Sequence, residues 1–182
     1  ANPDSAADRW VAGVRNPLLN WRTMDAVTQG RLKFPFGFGL RRHPAAVNSN
    51  DFIGLNYYGR HPLRFDLAAV GTLFAASVEA PPDIAWPKPW TDREIYPDGL
   101  HRFAAQLARY GKPIYVTENG MADASDRIRP GFILTHLAAL HRAIRQGADV
   151  RGYFYWTLVD NYEWVEGWTT RFGLIELDPD TQ

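Results

Sequence analysis

"YVTENG", residues 115–120, places one carboxylate, Glu118, directly after a run of strand-like sequence. A carboxylate at the end of a buried strand raises a chemical question, because its partners must come from elsewhere in the chain. Working outward, "PIYVTEN" (113–119) reads as a strand. The preceding segment predicts a helix, with Pro97 at its start, an apolar stripe of Leu100, Phe103, Leu107 and Tyr110, and Gly111 as C-cap. A second helix is predicted from Pro130 to about Gln146, closed by Gly147. It carries Ile133, Leu134, Leu137, Leu140, His141 and Ile144 at helical spacing. "RGYFYWTLVD" (151–160) predicts another strand, and "DFIGLNYY" (51–58) an earlier one.

Alternating helices and strands argue for an α/β chain with parallel strands, which should be apolar on both faces where helices cover them. Residues 5–29 predict a helix interrupted at Asn16-Pro17, since proline suits the first turn of a new helix. Residues 59–96, with Pro62, Pro81, Pro82, Pro87 and Pro89, read as one long connection, a length usual for functional or mobile loops. "GLRRH" (39–43) reads as a solvated basic loop. There is no internal repeat and no sign of a second domain, so residues 1–182 are expected to form part of one domain. Three βα-type units are visible, whereas a closed eight-stranded barrel takes roughly 250 residues. A small open α/β sheet is the other arrangement that fits the length.

Composition narrows the function classes. The chain has 182 residues, 46% hydrophobic and 22% charged, as a globular protein with a real core should. Lys+Arg and Asp+Glu are both 20, so nothing points to nucleic acid or an anionic membrane as partner. No apolar run approaches the ~18 residues of a membrane span, and the N-terminus shows no signal-peptide pattern. The absence of cysteine removes disulfides and thiolate metal sites and fits a cytoplasmic protein. The five histidines, His43, His61, His101, His136 and His141, lack ligand spacing, so no metal is expected. There is no glycine-rich phosphate loop and no nucleophile elbow.

Strand alternation assigns faces: Gly54, Asn56 and Tyr58 in the first strand, Ile114, Val116 and Glu118 in the second, Gly152, Phe154 and Trp156 in the third. Each strand starts apolar and ends on a polar or aromatic residue, at the edge where parallel α/β folds bind ligands. Glu118 could there be a nucleophile, a general base or a salt-bridge partner. The Tyr58 phenol could donate to it and hold it charged and oriented, or be a core tyrosine. Asn56 and Asn119 could hold a sugar hydroxyl or satisfy backbone. "DNYEWVEGW" (160–168) alternates acids with tryptophans. Carboxylates accept from vicinal hydroxyls while indoles cover the apolar face of a pyranose, and the same loop could equally be a surface loop with buried anchors.

"DFIGLNYY", "EIYPDGL", "GKPIYVTENG", "GYFYWTLVDNYEW" and "RFGL" together closely resemble glycoside hydrolase family 1, the β-glucosidase family, from about residue 5 to 178. The resemblance implies the C-terminal portion of a TIM (β/α)8 barrel, about strands 6–8 with flanking helices, incomplete on its own. It implies a retaining β-glycosidase that releases a terminal non-reducing β-D-glucosyl or related residue and needs no cofactor. Glu118 matches the nucleophile, at the end of the barrel's seventh strand, and Tyr58 its hydrogen-bond partner. Asn56 matches a sixth-strand residue near the nucleophile, Trp156 the platform under the sugar, and Phe172 a pocket wall. Glu163 matches the residue gripping the 4- and 6-hydroxyls, and Trp164 one reaching the 3-hydroxyl. The Glu163-Trp164 pair implies an unphosphorylated glycoside or oligosaccharide.

Two departures stand out. Arg93 occupies a position where many members have Trp, and the T-x-N-E-P block bearing the family's acid/base glutamate is absent. The implied partner is therefore the N-terminal half of the barrel, and the chain alone is expected to be inactive. A non-catalytic carbohydrate-binding remnant and a structural half-barrel are the alternative readings.

Overall fold

The computed structural model describes residues 2, 4–33, 39–87, 92–178 and 180–181. The chain divides into two compact units, residues 1–51 with 61–79, and residues 52–60 with 80–182. Pro89 of the long proline-bearing segment lies outside the described residues. Among the described residues no helix is long and apolar enough to cross a membrane.

The first unit opens with α1 (Ala6–Asn16), capped by the Ser5 hydroxyl, which accepts from the Asp8 N–H. The helix is not interrupted at Pro17. A π-helical turn over Pro17–Trp21 carries it into α2 (Arg22–Gln29), with the Arg22 N–H donating to the Pro17 carbonyl. Proline lacks an N–H, and a wider turn absorbs the missing bond without breaking the helix. β1 (Arg31–Lys33) and β2 (Leu40–Arg42) pair antiparallel, so the basic segment read as a loop is an exposed strand. The expected structureless connection is also overturned, because it contains β4 (Leu63–Phe65) paired antiparallel with β5 (Ala75–Ser77). Phe65 and Phe74 meet the Trp10 ring at 6.2 and 6.5 Å, and Asp8 accepts from the Phe65 N–H at 2.8 Å. Aromatic packing supplied by a distant helix orders a hairpin too short to declare itself locally.

The second unit alternates strand and helix: β3 (Ile53–Asn56), α3 (Pro97–Leu107), β6 (Ile114–Asn119), α4 (Arg129–Arg145) and β7 (Val150–Tyr155). The three strands form one parallel sheet in the order β3-β6-β7. Gly111 ends the first helical segment in the left-handed region at φ 64°, where a Cβ would be strained. Tyr57, Leu100, Ala104, Val116, Leu140, Ala143 and Ala148 form the core between sheet and helices. Side chains such as Leu100 and Val116, both 0% exposed, contribute about 1.5–3 kcal/mol each.

Two expectations fail here for one reason. Of the stripe assigned to α4, Leu134, Leu137 and Ile144 are exposed, while Phe132, His136, Ala139, Leu140 and Ala143 are buried. The strands are also not covered on both faces, since Gly54, Asn56, Thr117 and Phe154 are exposed. Apolar periodicity records every surface a sequence is built to cover, including those that this chain leaves open.

His136 is fully buried with its ring 3.9 Å from that of Phe132, and its Nδ1–H donates to the Phe132 carbonyl at 2.8 Å. Burial lowers its pKa to about 4 from an ordinary 6.5, the Phe132 bond opposing only in part. Between those values the unfolded chain binds a proton that the folded chain does not. Stability is therefore expected to fall as pH drops from about 6.5 to about 4, and to be unaffected by this group above that window. Urea unfolding across the window should show the midpoint falling with pH. In His136→Phe, which keeps a ring and removes the protonation site, that part of the slope should vanish. An unchanged slope would assign the dependence to other groups.

Candidate active site

Along β6 the side chains of Ile114 and Val116 are fully buried against the helices. Strict alternation would send Glu118 to the same side, as the sequence suggested. The register instead slips: Leu55 pairs with Val116, but Asn56 pairs with Glu118. Asn119 takes the helix-facing place. It is 0% exposed, donates from Nδ2 to the Tyr57 carbonyl at 2.6 Å, and accepts at Oδ1 from the Tyr153 hydroxyl at 2.9 Å. The shared face expected for Ile114, Val116 and Glu118 is thus overturned by a β-irregularity, a device that re-aims side chains at sheet ends.

Glu118 thereby reaches Tyr58, whose hydroxyl donates to its Oε2 at 2.7 Å. Tyr58 is half-buried, with its ring 6.3 Å from both Trp86 and Phe172. Burial pushes its pKa well above 10, and the bond to Glu118 and the charges of Glu118 and Glu163 push the same way, against the opposing charge of Arg93. The phenol therefore keeps its proton and remains a donor. Phe172, 5% exposed, packs with Trp86, Met121, Ala122 and Phe132, and Tyr58 and Trp156 lie against the same cluster.

The strand expected over 151–160 ends at Tyr155, and the Trp156 N–H donates to the Asn119 carbonyl at 3.0 Å. A Cβ on Gly120 would collide with the Trp156 carbonyl, so only glycine lets the two segments approach this closely. Trp156 Nε1 donates to Glu163 Oε1 at 3.2 Å, and Asn161 Nδ2 donates to the same oxygen at 2.8 Å. In both Glu118 and Glu163 one oxygen is anchored, while the other has no donor among the described residues. One anchored and one available oxygen suits a carboxylate that attacks, or one that receives a hydroxyl.

Asn56 stands beside Glu118 in the register and accepts from the Thr117 hydroxyl at 2.7 Å, with its side chain exposed. Trp164 is not drawn in. It is 83% exposed, with a positive φ of 48°. Arg93 sits with its guanidinium 5.2 Å over the Trp86 ring. Sequence reasoning missed Trp86 and Asn161. Trp86 lay in a proline-rich stretch read as loop, and Asn161 was passed over inside a block read for its acids and tryptophans. Among the described residues no three His, Asp or Glu side chains gather to hold a metal ion.

Residues 43–182 match the model of Glycosyl hydrolase family 1. A β-galactosidase of Pyrococcus woesei is 32% identical over 97% of this chain and 37% of its own length. A β-glycosidase from Pyrococcus horikoshii superposes with TM-score 0.82 at 39% identity, covering 99% of this chain and 41% of that one. The family 1 β-glucosidase from Thermotoga maritima does so with TM-score 0.78 at 26% identity, over 99% of this chain and 44% of that one. The chain thus spans well under half the length of the relatives it matches, and its parallel strands and helices are part of a (β/α)8 barrel. By its motifs and its fold, the chain belongs to glycosyl hydrolase family 1.

Proposed function

We propose that this chain is the nucleophile-bearing part of a retaining β-glycosidase that removes a terminal β-D-glucosyl or related residue. The carrying observation is the 2.7 Å hydrogen bond from Tyr58 to Glu118, beside a Glu163 held by Trp156 and Asn161. A retaining enzyme places two carboxyl groups roughly 5 Å apart, one to attack the anomeric carbon and one to protonate the leaving oxygen. Glu118 attacks, with Tyr58 fixing the oxygen that does not. The covalent glycosyl-enzyme is then opened by water, and two displacements restore the configuration.

Trp156 supplies an indole face to the sugar ring, Glu163 takes its far hydroxyls, Phe172 walls the pocket and Asn56 adds a polar contact, while the exposed Trp164 turns in to the 3-hydroxyl only when sugar is bound. The acid/base glutamate comes from a segment outside these 182 residues, the N-terminal half of the barrel, and residues 1–182 complete a single domain with it. The relatives are named for both glucose and galactose. The reading therefore commits to a β-glycoside or oligosaccharide, with no cofactor and no nucleic-acid or membrane partner, in a cytoplasmic setting that suits a chain without cysteine.

Glu118→Ala in the complete enzyme is expected to abolish turnover of an aryl β-glucoside. Added azide should then give the α-configured glycosyl azide, since a small anion attacks from the vacated side with no second displacement. Near-normal turnover without azide rules Glu118 out as nucleophile.

Glu163→Gln keeps the shape and removes the charge that strengthens hydrogen bonds to hydroxyls, worth about 1.5–3 kcal/mol each. The loss in kcat/KM is expected to be larger for glucosides than for xylosides, which lack the 6-hydroxyl. Equal losses would show that Glu163 does not read that position.

The 182-residue chain alone is expected to hydrolyse aryl β-glucosides at no useful rate, because general acid catalysis is worth about 10²–10⁴-fold. Addition of the complementary half should restore turnover. Robust activity in the lone chain, with its purity confirmed by intact mass, would require an acid within it.

A further inference from the structure

Arg129, the first residue of α4, is 6% exposed, unusual for a guanidinium. Its Nη2 donates to the carbonyls of Asp123 at 2.8 Å and Arg171 at 2.9 Å, and its Nη1 to Asp126 Oδ1 at 2.7 Å. Asp123 Oδ2 in return accepts from the backbone N–H groups of Ile128 and Arg129 at 2.7 and 3.1 Å. Burial pushes the Asp123 pKa up, but the bonds from Ser125, Ile128 and Arg129 outweigh it and hold the carboxyl below its usual range. Burial likewise raises the Tyr155 phenol against the nearby charge of Arg129, and the Tyr155 hydroxyl donates to the Met121 carbonyl at 3.4 Å.

One side chain therefore ties two segments together. Asp123 and Asp126 lie on the loop that follows Glu118, and the Arg171 carbonyl precedes Phe172. The second contact extends further. The Asp123 N–H also donates to the Arg171 carbonyl at 2.9 Å, and Arg171 Nη1 donates to Asp160 Oδ2 at 3.0 Å. Asp160 is 5% exposed, accepts from the Gly173 N–H at 2.7 Å, and starts the loop carrying Asn161 and Glu163. The helical register of α4 gives no reason to bury an arginine at its first turn, where carboxylates are favoured over cations. The tie between these two segments gives one.

We infer that Arg129 is a positioning residue, fixing the loop that follows the nucleophile Glu118 against the segment that carries Phe172 and, through Arg171 and Asp160, against the loop that carries the sugar-gripping Glu163. It touches no substrate. The inference rests on the proposed roles of Glu118 and Glu163. Without Arg129 the sugar is still gripped and the nucleophile still present, but their separation is no longer set. A misplacement of about 1 Å costs on the order of 10²-fold in rate.

The test uses the complete, active enzyme with Arg129→Met, Arg129→Lys, Glu163→Gln and the two double variants, each checked for folding by thermal melting. Arg129→Met is expected to lose about 10²-fold, mostly in kcat with KM little changed. Arg129→Lys should recover only part of this, because one ammonium cannot reproduce the forked contacts to both segments. Once Glu163 no longer grips the sugar, its distance from the nucleophile matters less. Losses in the double variants should therefore fall well short of the product of the single losses. A loss confined to KM, fully multiplicative losses, or unchanged rates would overturn the inference while the glycosidase reading stands. An inactive wild-type enzyme would sink that reading and this inference together. If Arg129→Met does not fold, Arg129→Lys and its double variant decide by the same non-multiplicativity.

Discussion

Asn119 is a fully buried amide, and such a group must find partners or cost roughly 1–3 kcal/mol for each one left unmade. Its partners, Tyr57 and Tyr153, belong to the helix-facing core. Placing Asn119 there shifts the phase of the strand by one residue. Glu118 is consequently turned to the opposite side, level with Asn56 and within reach of Tyr58. The Asn119 carbonyl then receives the Trp156 N–H, which brings Trp156 alongside the end of the strand that carries Glu118. The direction of the carboxylate, its phenol partner and the neighbouring tryptophan all follow from satisfying one buried amide.

Much of this was legible in the sequence because it is local. Pro97 and Gly111 bracket one helical segment, Gly147 follows the other helix, and the apolar runs at 113–119 and from residue 151 read as strands. What was not legible depends on partners far away in the chain. The hairpin of β4 and β5 exists because Trp10 covers Phe65 and Phe74, which lie far along the chain. Pro17 looked like a break because the remedy, a π turn, has no composition signal. Alternation placed Glu118 on the wrong face because a register slip is a property of pairing, not of one strand. The motif residues carried their family roles into the sequence reading, while Asn161 and Arg129 act only through contacts that a sequence does not display.

The two carboxylates are held in different ways. Glu118 is anchored by a phenol set among aromatic rings, at the end of a strand whose backbone is paired on both sides. Glu163 hangs on a loop, anchored by an indole and an amide, and the loop itself is tied down at Asp160. Rigid placement matters most for the atom that must form a bond. A group that grips hydroxyls tolerates more adjustment, since a hydrogen bond remains useful across several tenths of an ångström. On the proposed reading, placing the attacking group on the central strand and the gripping group on a tethered loop matches those tolerances.

β3 and β7 each have a single strand neighbour, β6, so the outer edges of both present unpaired backbone groups among the described residues. Such edges invite pairing, and barrels remove them by closure. The exposed face of Gly54, Asn56, Thr117 and Phe154 points to the same need for cover. On the proposed reading, the chemistry is short of one group, an acid to protonate the leaving oxygen, and the fold is short of strands on either side of this sheet. Strands that close the barrel would bring the acid to the same C-terminal rim that carries Glu118, so structural completion and catalytic completion are one event.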